Sequence, residues 1–424
     1  MNYIKREIVD LMVRRFKSRN IISVIGPRQT GKTTLCREIL PDIVKRDFEY
    51  FTFDDPDERL RFSENSLSIL KNIKKPLVIF DEIQKAPFMF ESLKYAVDNY
   101  DKNVKYLITG SSQILLMKNI KETLAGRISL FNLYPFSVRE ICKSRVNLDN
   151  ENLLSLLVNN EIEDIKNKLS EYGLLSSEKI REIKEIVNIH KKFGGLPPVW
   201  FIDEEEEKLA WLKDYRKTYI ERDLRDVGGF SDIEDLNLVH KLLSLRAAQI
   251  LNMNSIAKES GLAVNTVKKY IKILKIGFQV DLLKPFHSNL KKRLVKSPKI
   301  YFLDTGVLKA IIGESSISDG ALFENWVYSE ILKLRESHFP NSEIYFFRNS
   351  SSREVDFIIK NESKIIAIEA KTTKNPDIRD SRNISVFFKE YTKLKGIGII
   401  VYPGNKAFKI TENIFAIPDW SLFC

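Results

Sequence analysis

Gly26-Pro27-Arg28-Gln29-Thr30-Gly31-Lys32-Thr33-Thr34 is the stretch from which the fold is read. It follows Ile21-Ile22-Ser23-Val24-Ile25, a short apolar run that predicts a buried strand, and precedes Leu35-Cys36-Arg37-Glu38-Ile39-Leu40, which predicts a helix. Strand, glycine-bearing loop and helix are the context in which G-x-x-x-x-G-K-[ST] reads as a phosphate cradle. Gly26 and Gly31 let the backbone curl so that successive N–H groups point inward at phosphate oxygens. Lys32 offers a point charge to the β- and γ-phosphates, and Thr33 a hydroxyl ligand for Mg²⁺. The helix N-terminus adds its partial positive charge. Pro27, Arg28, Gln29, Thr30 and Thr34 complete the nucleotide-binding loop. A plain glycine turn between strand and helix is the competing reading.

Downstream, Lys75-Pro76-Leu77-Val78-Ile79-Phe80-Asp81-Glu82 predicts a buried parallel strand with an acidic carboxyl edge. Ligands of open α/β sheets sit outside the carboxyl ends of their strands. Asp81 is therefore expected to face the Mg²⁺ held by Thr33, and Glu82 to orient and deprotonate an attacking water. A further strand, Lys105–Thr109, ends in Thr109-Gly110-Ser111-Ser112. Ser111 is a candidate for contact with the γ-phosphate or the catalytic water; helix capping explains it equally well. Arg127 precedes another predicted strand, Ile128–Leu133.

Together, Gly26–Thr34, Leu77–Glu82, Thr109–Ser112 and Arg127 resemble an AAA+ ATPase. The resemblance implies that Arg127 is an arginine finger reaching a neighbouring subunit's γ-phosphate; a surface salt bridge is the bland alternative. Residues 3–19 read as a basic amphipathic helix with Ile8, Leu11, Met12 and Phe16 on one side, packed on the ATPase core. Residues 139–230 are charged and mostly helical in pattern, as a lid would be. Gly194-Gly195-Leu196-Pro197-Pro198 stands where AAA+ lids place a second sensor arginine, but no arginine follows before Arg216.

Residues 254–302 carry a second pattern. Ser255–Ser260 and Asn265–Leu274 predict two helices joined at Gly261, followed by a strand at Phe278–Leu283. Val267, Ile271 and Leu274 form the buried face, while Lys268, Lys269, Lys272 and Lys275 point outward. This reads as a winged helix-turn-helix, with Lys291-Lys292-Arg293 and Lys296 at the wing tip. DNA contact through phosphates is the functional reading, and a protein-contact module the alternative.

Arg353–Ile359 and Ile365–Lys371 predict a hairpin that puts Glu369 and Lys371 on one face, with Asp356 on the partner strand. Two carboxylates and a lysine at one spot can bind Mg²⁺ and position water against a phosphodiester. Asp356, Glu369 and Lys371 resemble the motif of the PD-(D/E)xK restriction-endonuclease-like superfamily. Glu324 stands where some members carry another acidic ligand. Structural ion pairs, or a degenerate site, explain the same residues.

The chain has 424 residues, 43% hydrophobic and 29% charged, the proportions of a folded protein of several domains. Its net charge of +11 favours a polyanionic partner such as DNA, although solvated lysine faces give the same sum. Cys36, Cys142 and Cys424 lie far apart, without zinc or disulfide spacing, as in a reducing cytoplasm. No apolar run approaches the roughly 20 residues that span a bilayer. The expected fold class is α/β, divided as 1–138 AAA+ P-loop ATPase core, 139–235 helical lid, 236–302 winged helix and 303–424 endonuclease-like domain. As a whole the chain resembles prokaryotic AAA-family ATP-binding proteins with a C-terminal domain of unknown function. The expected activity is Mg²⁺-dependent ATP hydrolysis coupled to DNA binding, with DNA cleavage as a further expectation and homo-oligomers as the setting for Arg127. The alternative is a nucleotide switch that binds a protein partner and carries a degenerate nuclease-like domain.

Overall fold

The structure is a computed structural model of the chain. It describes residues 3–100, 103–110, 123–148, 150–160, 176–219, 233–286, 297–313 and 315–424. Strands β1 (Ile21–Ile25), β2 (Phe48–Thr52), β3 (Leu77–Asp81), β4 (Lys105–Gly110) and β5 (Ile128–Asn132) form a sheet in the order β2-β3-β4-β1-β5, parallel throughout. Such a sheet must be covered on both faces, and the period-two alternation provides for it. Ile22 and Val24 of β1, with Leu77 and Ile79 of β3, pack with helix α1 (Val9–Phe16) and with Leu35, Cys36 and Leu40 behind the phosphate loop. Ile21, Ile25, Val78 and Phe80 pack on the other side with Phe62 of α2 (Pro56–Asn72) and Phe90 and Leu93 of α3 (Met89–Asn99).

Two local expectations change. The amphipathic helix over 3–19 shrinks to α1, because Arg6 turns inward (5% exposed) and is tied to backbone carbonyls instead of standing on a helix surface. The segment after the loop is helical, but a π-turn at Leu35–Ile39 interrupts it.

Beyond β5 the chain is helical. Helix α4 (Val138–Val146) opens with a capping box of Ser137 and Glu140. Helices α5 (Leu153–Asn159), α6 (Ser177–Phe193) and α7 (Glu205–Tyr219) follow. The Gly194-Gly195 turn is a packing joint. Gly195 accepts at its carbonyl from the Phe136 N–H (2.7 Å), and its own N–H donates to Asp304 (2.7 Å). A Cβ at Gly195 would stand 2.1 Å from the Phe136 carbonyl oxygen.

Helices α8 (Ile233–Ser244), α9 (Met253–Ser260) and α10 (Val264–Ile276) pack on one another. They lead into the antiparallel pair β6 (Val280–Leu283) and β7 (Lys299–Phe302), to which Ile250 adds a bridge. Gly261, at φ +72°, makes the turn between α9 and α10. The strand expected from Phe278 begins at Val280, because Phe278 takes a left-handed conformation (φ +57°) to leave the helix. Lys291, Lys292, Arg293 and Lys296 lie outside the described residues.

Helices α11 (Thr305–Ile312) and α12 (Asp319–His338) precede a second, mixed sheet. It contains β8 (Glu343–Arg348), β9 (Glu354–Asn361), β10 (Lys364–Ala370), β11 (Lys395–Tyr402), β12 (Phe408–Thr411) and β13 (Ile414–Pro418), in the order β12-β13-β11-β10-β9-β8. Ile384 and Phe387 of α13 (Arg382–Glu390) cover one face; Ile331 and Leu332 of α12 belong to the core on the other. Helix α14 (Asp419–Phe423) brings the Cys424 Sγ to 3.2 Å from the Cys142 Sγ, both thiols free and buried. Their separation along the chain hid this approach from the sequence.

Gly306 of α11 tests the packing. A Cβ there would lie 2.0 Å from the Phe193 carbonyl oxygen, so backbone must move. Alanine adds about 1 kcal/mol of helix propensity, but overpacking of this kind costs about 1–3 kcal/mol. Gly306→Ala is therefore expected to lower the thermal midpoint, and an unchanged midpoint would contradict the close approach.

Candidate functional site

The carboxyl edge of the parallel sheet brings three separate stretches together. Because β4 lies between β1 and β3, the phosphate loop, Asp81 and Thr109 become neighbours. Thr33 Oγ1 donates to Asp81 Oδ2 at 2.7 Å, and the Tyr50 hydroxyl donates to the same oxygen at 2.9 Å. The Thr109 hydroxyl donates to the other oxygen, Oδ1. Asp81 is buried, and its carboxylate is held by side chains from the loop, β2 and β4.

The loop itself is tightly wound. Gly31 has φ +83° and Gln29 φ +63°, both left-handed. At Gly26 the need is space: a Cβ would sit 2.2 Å from the carbonyl oxygen of Leu133, whose N–H donates to the Ile25 carbonyl at the end of β1. Lys32 is 7% exposed, and its ammonium donates to the carbonyls of Gly26 (3.0 Å) and Pro27 (2.8 Å), across the mouth of the curl. The Thr30 hydroxyl also donates to the Pro27 carbonyl (2.8 Å), and the Arg28 carbonyl accepts from Tyr215 of α7 (3.3 Å). Thr34 lines a cleft of about 620 Å³ beside the loop, with Tyr3, Ile4, Gly31, Phe136 and Phe201.

Glu82 adopts a left-handed conformation (φ +53°) directly after β3. Its N–H donates to Thr109 Oγ1 (3.3 Å), and its carboxylate accepts from the Gln84 side-chain amide. Ser111 lies outside the described residues; Thr109, from the same stretch, is the residue that reaches Asp81. Sequence reasoning also missed Arg6. Its guanidinium donates to the Thr30 carbonyl (2.8 Å), the Tyr134 carbonyl and Glu140 (3.0 Å), joining the N-terminal segment, the loop and α4.

Arg127 is at the other end of the sheet. The strand it precedes begins opposite Ile21, the first residue of β1, whereas the phosphate loop follows the last. It makes a two-pronged ion pair with Asp98 of α3 (2.8 Å for both bonds). From there it cannot serve its own chain's loop.

On α10, Val267, Ile271 and Leu274 are buried, while Lys268, Lys269, Lys272 and Lys275 are exposed. Lys275 pairs with Asp281 at 2.7 Å.

In the second sheet, the hairpin β9–β10 does bring Asp356, Glu369 and Lys371 together. Lys371 Nζ pairs with Glu369 Oε2 at 2.6 Å, and the Ala370 N–H donates to Asp356 Oδ2 at 2.9 Å. Glu324 of α12 joins them through a residue not expected from the sequence. Lys299 of β7, only 3% exposed at its side chain, lies 2.8 Å from Glu324 Oε1, 2.5 Å from Glu354 Oε1 and 3.9 Å from Asp356 Oδ1. Burial, and then Asp356, push Glu324 up to about 8 and Glu369 up to about 7; burial also raises Asp356. Burial opposes the charge on Lys299, but Glu324, Asp356 and Glu354 outweigh it and hold the ammonium protonated. Among the described residues, no group of three or more His, Cys, Asp or Glu side chains is arranged to hold a metal ion. Of the residues expected as metal ligands, Glu324 and Asp356 lie against the Lys299 ammonium, and Glu369 pairs with Lys371.

Residues 18–142 match the AAA domain family, and residues 190–318 and 319–422 match two families each described as a domain of unknown function. The first α/β unit is an ATPase-like domain. An uncharacterized protein of Mycobacterium tuberculosis is 26% identical over 423 residues, 98% of this chain and 83% of the relative. One of Methanocaldococcus jannaschii is 28% identical over 431 residues, 95% of this chain and 88% of the relative. The likeness thus runs beyond the AAA domain. Among solved structures, a Walker-type ATPase of Pyrococcus abyssi aligns with 16% identity and a TM-score of 0.41, covering 72% of this chain and 94% of that one. No helix among the described residues is long and apolar enough to cross a membrane.

The raised carboxyls give a pH test. Glu369 and Glu324 hold protons more tightly folded than unfolded. Their contribution to stability is therefore full below the ordinary glutamate value of 4.5 and is lost as pH rises through about 7 and about 8. Glu369→Gln cannot ionise. Its thermal midpoint, relative to the native chain, is expected to climb as pH rises from 4.5 to about 7; a difference independent of pH would contradict the raised carboxyl.

Proposed function

We propose that this protein binds ATP with Mg²⁺ at the Gly26–Thr34 loop, hydrolyses it, and couples hydrolysis to DNA binding. The observation that carries this reading is the 2.7 Å bond between Thr33 and Asp81, with Lys32 and Glu82 on either side. A hydroxyl and a carboxylate oxygen are the hard donors that suit Mg²⁺, so Thr33 and Asp81 would hold the ion. Mg²⁺, when bound, neutralises charge developing on the phosphate oxygens. Lys32 exchanges its loop carbonyls for the β- and γ-phosphates, aided by N–H groups of the loop. Glu82 accepts a proton from the attacking water, and Gln84 and Thr109 position it. The apolar cleft by Tyr3 and Phe201 takes the nucleobase.

Arg127 acts, on this reading, on the γ-phosphate of a neighbouring copy, exchanging Asp98 for it. Support comes from its place at the sheet edge away from its own loop. Helices α9 and α10 with the β6–β7 pair form the winged helix, and the exposed Lys268 and Lys272 contact phosphates of duplex DNA. The chemistry assigned is ATP hydrolysis alone; the second sheet carries a degenerate nuclease-like site.

Glu82→Gln is expected to bind ATP and to lose turnover by about 10²–10⁴-fold, the usual worth of a general base. Phosphate release near the native rate would sink the role given to Glu82. Thr33→Ala should lose turnover through its metal shell.

For DNA, fluorescence anisotropy across a salt series is the measurement. The plot of log K against log salt should be steep, and Lys268→Glu with Lys272→Glu should flatten it by about 0.9 for each phosphate no longer neutralised. Binding that is flat with salt, or absent, would favour the nucleotide switch with a protein partner.

A further inference from the structure

We infer that Lys299 is the resident cation of the acidic cluster in the second sheet, standing where a restriction-endonuclease-like site would hold a divalent metal. This rests on the resemblance of Asp356, Glu369 and Lys371 to that superfamily, and is independent of the ATPase reading. Three carboxylates from two elements converge on one ammonium: Glu324 from α12, and Glu354 and Asp356 from β9. The remaining oxygens of the motif residues are largely committed. Asp356 Oδ2 takes the Ala370 N–H, Glu369 Oε2 takes Lys371, and Glu324 Oε1 takes the Tyr301 hydroxyl at 2.6 Å as well as Lys299. Among these carboxylates, Glu369 Oε1 is the one buried oxygen without a hydrogen-bond partner.

The ammonium is not a mobile side chain that has swung in from solvent. Lys299 is the first residue of β7, paired with Leu283 of β6 and bridged to Ile250, and its side chain is almost wholly enclosed. Its position is therefore set by the backbone of the hairpin. An Mg²⁺ ion requires oxygens at about 2.0–2.1 Å in near-octahedral order, and a divalent ion beside a buried ammonium would face a like charge through little screening. It would also compete with the ammonium for Glu324 Oε1, Glu354 Oε1 and Asp356 Oδ1, the oxygens on which Lys299 already sits.

The consequence is mechanical. Lys299 fixes the β6–β7 pair, the last part of the helix-turn-helix unit, to α12 and β9 of the second sheet. A site that would cut DNA as a metal centre becomes an ionic clamp between two parts of the chain.

Mn²⁺ binding followed by electron paramagnetic resonance tests this. A Thr33→Ala background weakens the metal shell of the nucleotide loop, and nucleotide is left out. With Lys299 present, Asp356→Asn should leave Mn²⁺ binding unchanged, because the cluster holds no metal. Lys299→Met keeps the apolar stem and removes the charge; it should gain one Mn²⁺ per chain, and Asp356→Asn should abolish that gain. Lys299→Arg keeps the charge and should gain none. Binding that depends on Asp356 while Lys299 is in place would overturn the inference. So would a folded Lys299→Met chain, by circular dichroism, that gains no ion. Should Lys299→Met fail to fold, the comparison with Lys299 intact still decides.

Discussion

The carbonyl of Phe136 is the point on which the arrangement of the chain depends. It accepts from His190 Nε2 at 2.9 Å and from Lys333 Nζ at 3.1 Å, while the Phe136 N–H donates to Gly195. His190 Nδ1 takes the Trp326 indole N–H at 2.9 Å, which fixes the tautomer with its proton on Nε2. Burial holds this imidazole neutral, lowering it to about 3. Glu330 completes the joint: Oε1 pairs with Lys333 at 2.7 Å, and Oε2 accepts the Val138 N–H at 2.8 Å at the start of α4. The exit of the ATPase-like sheet, the helical segment and the long helix of the second sheet thus share one buried polar network. In low dielectric a satisfied network of this kind is stiff, and a half-satisfied one is costly. It joins α12 to the helical segment that meets the nucleotide loop through Tyr215.

How much of this was legible in the sequence depends on how local the signal was. Lys32, Thr33, Asp81 and Glu82 were readable because each belongs to a short motif whose flanking strand is itself a strong apolar pattern. Their convergence was not readable, because it follows from β4 inserting between β1 and β3. Asp356, Glu369 and Lys371 were readable as neighbours from the alternation along a hairpin. Lys299 was invisible there: it precedes Asp356 by a long stretch of chain and looks like the polar start of an ordinary strand.

Glycines and arginines were harder to read than carboxylates. Gly194 and Gly195 looked like the approach to a sensor, yet they are small because backbone from Phe136 and the Asp304 side chain press on them. Arg6 lies within the stretch read as a basic amphipathic helix and drew no separate reading, while its guanidinium serves two carbonyls and a carboxylate in the interior. A single arginine in a basic stretch carries no sign of which way it turns. The groups that decide it come from residues more than twenty positions away.

The position of Arg127 bears on symmetry. It is at the amino edge of the parallel sheet, and the phosphate loop is at the carboxyl edge. An interface that carried this arginine to another copy's loop would join two different surfaces, one from each edge. Such head-to-tail interfaces are heterologous: repeated, they close into rings or run on as filaments. A two-fold dimer would have to gather both edges into a single self-complementary patch, and a sheet whose strands all point the same way keeps those edges apart.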